Sequence, residues 1–264
     1  MARVNPQLLS AADGKRIIAS NPMMTISQYF QALIYAQKQL NVQDFQHQIA
    51  NASDEQIEHW VKQFCYRNHL SQSDCQEIKL GLLANDLLWL KLLAKNPTRQ
   101  NLYEKGLMWW ISYHCSYEVI NLTTTKHGSM FAYQNMIGTS ESFQQTLPLA
   151  LKSLDFKIAT NKPIYVIAKY TDAIGGGHQD NQRNDIEFQL QQIDPSLNDQ
   201  ICICLDGTYW KRYFNYFQTK YKDFIFCTGD TIKQAINDLV DLQHQKEQRR
   251  HQGRIYQKTN SMSK

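Results

Sequence analysis

No run of 18 apolar residues occurs in this chain and the mean hydropathy is −0.52, which excludes a membrane-spanning helix. The opening residues, MARVNPQLLSAADGKR, lack the apolar core of a secretion signal, so the cytoplasm is the expected compartment. Six cysteines are present (Cys65, Cys75, Cys115, Cys202, Cys204 and Cys227), but no two form a CxxC pair, which argues against a zinc site. They read instead as buried free thiols in a reducing compartment. Cys202 and Cys204 alternate in the apolar run ICICL and are expected on one face of a strand. The glycine-rich stretch GGGHQDNQRND at 175–185 matches neither G-x-x-x-x-G-K-[ST] nor G-x-G-x-x-G, so the common nucleotide-binding loops are missing. No internal repeat or low-complexity tract is present.

What is there suits a globular chain. A hydrophobic content of 42% over 264 residues can build a substantial core, and the length fits one large domain or a helical lobe fused to a catalytic one. The net charge of +4 is unevenly spread. Residues 243–264 carry Lys246, Arg249, Arg250, Arg254, Lys258 and Lys264 against Glu247, which is +5 and leaves −1 for the rest. Such a basic end fits a polyanionic partner, because cations near phosphates release counterions, and equally fits a solvated tail.

Apolar spacing predicts a mostly helical lobe over 1–130. TISQYFQALIYAQKQL at 25–40 and SDEQIEHWVKQFCYRN at 53–68 repeat at helical intervals, with Ser53 and Gln56 spaced as a capping box. A longer helical stretch at 71–96 stops before Pro97. The aromatic segment LYEKGLMWWISYHCSYEVINL at 102–122 has no decisive period. After residue 122 the pattern changes. The segment 136–154 reads as a helix beginning near Thr139 or Ser140, 154–158 and 163–172 as the strands of a hairpin, and 186–193 as a helix. Then come a central strand at 199–207, apolar on both faces, a helix at 209–223, a strand at 224–230 and a closing helix. The predicted fold class is α/β: a mixed central sheet flanked by helices over 131–245, with the N-terminal helical lobe before it and a basic, flexible tail over 246–264.

Hydrolysis of a phosphodiester needs a divalent cation, a polarised water and neutralisation of developing charge. Carboxylates suit magnesium, and a lysine beside it can orient the water. Asp155 opens the first hairpin strand and Lys169 lies near the end of the second, 14 residues on, so the turn brings them across from one another. Glu141, one turn into the predicted helix, is placed to reach the same region.

Glu141, Leu154-Asp155 and Ile167-Ala168-Lys169 together resemble the PD-(D/E)xK nuclease core of type II restriction endonucleases. In that family a helix glutamate precedes a Pro-Asp dipeptide, and an (Asp/Glu)-x-Lys triplet follows on the next strand. IGTSE at 137–141 is similar to the helix starts of several such enzymes, and LDGTYW and FIFCTGD to their final core strands. The resemblance covers roughly residues 130–245. It implies a site-specific endonuclease for double-stranded DNA, with Mg2+ held by Glu141 and Asp155 and with Lys169 as the water-orienting group. Leu154 replaces the proline, and Ile167 stands where the second acid belongs and cannot bind a cation. Asp172 is the candidate migrated acid and metal ligand, ahead of Asp180 and Asp185. A homodimer is the expected state if the target is palindromic.

The glycine loop reads as a source of DNA contacts through His178, Gln179, Asn181, Gln182 and Arg183, since Gln and Asn pair with adenine and Arg with guanine. It also reads as a plain turn before a helix capped by Asn184 or Asp185. Two other functions stay open: a nucleic-acid-binding protein that keeps the fold without cleaving, and a nucleotide or transferase enzyme using the glycine loop.

Overall fold

The computed structural model describes residues 8–122, 129–172 and 177–261, with side chains except at 177–179 and 253–261. The chain divides into two compact units, residues 1–20 with 29–98 and residues 21–28 with 99–264. No helix among the described residues is long and apolar enough to cross a membrane.

The first unit is helical: α1 (Ala11–Ser20), most of α2 (Ile26–Ala50), α3 (Asp54–Arg67), α4 (Gln72–Leu83) and α5 (Leu87–Leu93). Ser53 and Gln56 cap α3 reciprocally as their spacing predicts, and Ser71 with Asp74 does the same for α4. Val42, Ile57, Val61, Ile78, Leu82 and Leu90 form its core. Cys65 and Cys75 correct the expectation of free thiols throughout. The turn between α3 and α4 brings their Cα atoms to 6.1 Å and the two are bonded, while Cys115, Cys202, Cys204 and Cys227 are free.

The second unit begins with α6 (Arg99–His114), so the expected lobe boundary at residue 130 falls instead at residue 98. The unassigned aromatic segment is therefore a helix of the α/β unit, followed by β1 (Val119–Asn121). Next come β2 (Met130–Tyr133), β3 (Met136–Thr139), β4 (Phe156–Ile158) and β5 (Ile164–Tyr170). The chain continues through α7 (Gly177–Gln191), β6 (Ile201–Asp206), α8 (Thr208–Lys220), β7 (Ile225–Cys227) and α9 (Ile232–Ser261). The five-stranded sheet has the order β1-β4-β5-β6-β7. β1, β4 and β5 pair antiparallel, whereas β5, β6 and β7 run parallel, with α7 and α8 as the crossovers. It is the mixed, helix-flanked sheet that the sequence predicts.

Burial explains the centre. Every residue from Ile201 to Leu205 is buried, as a strand paired on both edges and covered on both faces requires. Ile167, Ile203, Leu205, Ile186, Leu190 and the fully buried Trp210 share one cluster with Leu154. Gly207, between β6 and α8, has φ +93°, and a Cβ there would stand 2.4 Å from the Thr171 carbonyl oxygen.

Three further expectations are corrected. The helix predicted to begin near Thr139 or Ser140 is absent: β2 and β3 form a hairpin turning at Gln134 and Asn135, with Gln134 at φ +50°, followed only by a short 3-10 turn at Ser140–Ser142. Pairing with β2 satisfies the backbone of Met136–Thr139, and Pro148 removes a donor that a helix over this span would need. The helix after the glycines starts at Gly177, not near Asn184, so Asn181, Gln182 and Arg183 are helical. Finally, α9 continues to Ser261, so most of the basic segment expected as a flexible tail extends a helix rich in Gln, Lys and Arg.

Candidate active site

β5 outruns its neighbour. β4 pairs only with Ile164–Val166, leaving the same edge of Ala168 and Tyr170 without a strand partner. Unpaired backbone groups need other partners. The Asp155 carboxylate supplies one: its Oδ2 accepts the Ala168 N–H at 2.7 Å. Gln100, on the first turn of α6, supplies two: its Nε2 donates to the Ala168 carbonyl at 2.9 Å and its Oε1 accepts the Tyr170 N–H at 2.7 Å. The gap between β4 and β5 is thus filled by polar side chains, and it lies where Lys169 leaves the strand.

The expected pairing across the hairpin is present. Lys169 Nζ stands 3.2 Å from Asp155 Oδ2, with both side chains largely shielded from solvent. Asp155 also lines a cavity of about 310 Å3 together with Asn101, Glu104, Lys105, Met108 and Asn121. Residues 101, 104, 105 and 108 recur at helical spacing and so present one face of α6. Burial pushes the Glu104 carboxyl above its ordinary range and the charge of Asp155 pushes it further, against a hydrogen bond from Gln100 and the field of Lys169. Two carboxylates and an ammonium therefore act on one another here, as at sites that handle protons or cations.

The other sequence candidates lie elsewhere. Glu141 is exposed in the 3-10 turn, not on a helix, and does not line the cavity. Asp172 is engaged otherwise: Arg99 Nη1 lies 2.7 Å from its Oδ2, and the Tyr170 hydroxyl donates to the same oxygen. Asp180 accepts from the Tyr209 hydroxyl at 3.2 Å, and Asp185 pairs with Lys152 at 3.6 Å. Ile167 is a core residue of the α7 side of the sheet. Gln182 accepts from Thr171 Oγ1 at 2.7 Å, and Arg183 lies 5.0 Å over the Tyr213 ring near Glu187. Those two side chains serve the fold, whereas Asn181 is exposed on α7. The side chains of His178 and Gln179 lie outside the described residues, as do residues 173–176.

Among the described residues no three His, Cys, Asp or Glu side chains converge as a metal cluster. Glu104 and Asp155 supply two carboxylates beside the Asn121 side chain and an open cavity. That is a donor set suited to magnesium, which takes one or two carboxylates and keeps several waters. Glu104 and Gln100 were missed by sequence reasoning. The signal present was a polar stripe, Gln100, Asn101, Glu104 and Lys105, at helical spacing beside the apolar LMWW. No protein-family model, no curated protein and no solved structure matches this chain.

Proposed function

We propose that this protein is a magnesium-dependent endonuclease acting on double-stranded DNA, of the kind found in restriction systems. The observation that carries the reading is the meeting of Asp155, Lys169 and Glu104 where β4 and β5 part. Glu104, on the helix before β1, takes the helix-glutamate role first expected of Glu141. Glu104 and Asp155 would hold the cation, which when bound supplies charge neutralisation and a more acidic water. The Lys169 ammonium, kept in place by Asp155, orients the attacking water and offsets charge gathering on the phosphate. Lys105 places an ammonium in the cavity lining itself, where a phosphate would enter. Arg249 and Arg250, exposed on α9, favour a polyanionic partner through the same counterion effect.

The buried Ile167 favours a second reading, a DNA-binding protein that keeps the fold without cleaving. Plasmid cleavage with Mg2+ separates the two. Glu104→Gln is expected to lower the rate by about 10²-fold or more, whereas Glu141→Gln should leave it within about twofold. Equal activity of both variants and the unaltered protein would remove Glu104 from the site. No cleavage by any form, with salt-sensitive DNA binding retained, would select the second reading.

The same substitution has an expected stability effect of opposite sign. A carboxyl whose pKa is raised on folding binds its proton more tightly in the folded state, so its ionised form destabilises the fold at neutral pH. Glu104→Gln is therefore expected to raise Tm at pH 7. The gain should shrink as pH falls through the raised folded pKa towards the ordinary glutamate value. Thermal melts at several pH values check this.

A further inference from the structure

The Gln100 side-chain amide bonds three partners: the Ala168 carbonyl, the Tyr170 N–H and the Glu104 carboxylate. Its Nε2 donates both to the Ala168 carbonyl at 2.9 Å and to Glu104 Oε1 at 2.5 Å. Its Oε1 accepts the Tyr170 N–H at 2.7 Å. Chemistry fixes the orientation of the amide, since a carbonyl and a carboxylate can only accept and a backbone N–H can only donate. Gln100 therefore ties one carboxylate of the cavity to the two residues that flank Lys169. It does so from α6, the helix that carries Glu104 one turn on. Arg99 with Asp172, and Tyr103 with Asp206 at 3.0 Å, fasten the same helix to the ends of β5 and β6. Those contacts hold the helix but touch neither Glu104 nor the backbone beside Lys169.

We propose that Gln100 is the positioning residue of this site, setting the Glu104 carboxylate against the free edge of β5 so that Glu104 and the Asp155–Lys169 pair face one cation. The inference rests on the nuclease reading above and adds to it a residue that touches neither substrate nor metal. A side chain one contact removed from a metal ligand commonly changes metal affinity or activity by 10–100-fold on removal.

The test compares the full-length protein with Gln100→Met, which keeps the side-chain volume, and Gln100→Leu, which likewise removes the amide without adding a charge beside Glu104. Calorimetric titration with Mn2+ alone reads the site without DNA, and cleavage kinetics at varied Mg2+ separate kcat from KM. Both variants are expected to bind Mn2+ about 10–100-fold more weakly. The Mg2+ giving half-maximal cleavage should rise in parallel, while KM for DNA stays within about twofold. A purely structural Gln100 would instead lower Tm and leave the Mn2+ affinity of the folded protein unchanged, and that result in either variant overturns the proposal. If the unaltered protein neither binds Mn2+ nor cleaves, the nuclease reading fails and this inference with it. If it does both and the variants match it, this inference alone fails.

Discussion

Lys169→Met is expected to lower the rate of plasmid cleavage at saturating Mg2+ by about 10²–10³-fold, the usual loss when one preorganised charge-stabilising group is removed from an active site. The methionine keeps the aliphatic stem and removes the ammonium 3.2 Å from Asp155. The loss should appear in kcat, because the ammonium would act on charge that develops during the reaction. Circular dichroism and Tm provide the folding check. Asp172→Asn serves as the contrast. Its carboxylate is engaged by Arg99 and Tyr170, and the guanidinium is more than half exposed, so losing the pair should cost under about 1 kcal/mol and leave cleavage intact. Undiminished cleavage by Lys169→Met, or a loss in Asp172→Asn that rivals it, would move the chemistry away from the hairpin.

The largest expected stability effect lies at Asp199, which follows the 3-10 turn at Pro195–Leu197 and precedes β6. Its carboxylate is almost fully buried and pairs with Lys162 and, at 2.9 Å, with Lys246. Buried Gln243 staples the same place, donating to the Asp199 carbonyl at 2.7 Å and to the Lys162 carbonyl at 3.0 Å. Burial alone would raise the Asp199 carboxyl, but the two ammoniums outweigh it and hold the group below its ordinary range. Asp199→Ala removes the carboxylate with which both lysines pair. Both lysines are about a third exposed and can rehydrate, which places the cost near the lower end for a broken buried pair, about 3 kcal/mol. Denaturant unfolding with an unchanged m-value measures it. A carboxylate whose folded pKa is lowered contributes its stability above the unfolded value, near pH 4, and loses it as pH falls through the folded one. The gap between the two proteins should therefore narrow under acid conditions. A gap that stays constant down to the acid transition would mean that the ion pairs contribute nothing and that the loss is one of packing.

The two predictions differ in how much of their basis was legible in the sequence. Asp155 and Lys169 could be paired from the chain alone, because a hairpin is local: two runs joined by a short turn fix which residues meet. The lysines around Asp199 could not. Lys162 and Lys246 are 37 and 47 residues away; the parallel pairing of β5 with β6 brings the first to Asp199 and the packing of α9 beside β6 brings the second.

The sequence by itself determined the α/β class, the hairpin with its acid and ammonium, the doubly buried strand ICICL and the serine caps of α3. Each depends on periodicity or on neighbours within a few residues. The tertiary structure alone decided which glutamate joins Asp155. Glu141 had the right order along the chain but sits in an exposed turn after β3, while Glu104 reaches the cavity because α6 packs on β5. It likewise decided that Gln182, Arg183 and Asp172 serve internal contacts. The physical reason is common to these cases. A side chain's partner across the sheet is set by which helix covers which strand, and no local pattern of residues records that choice.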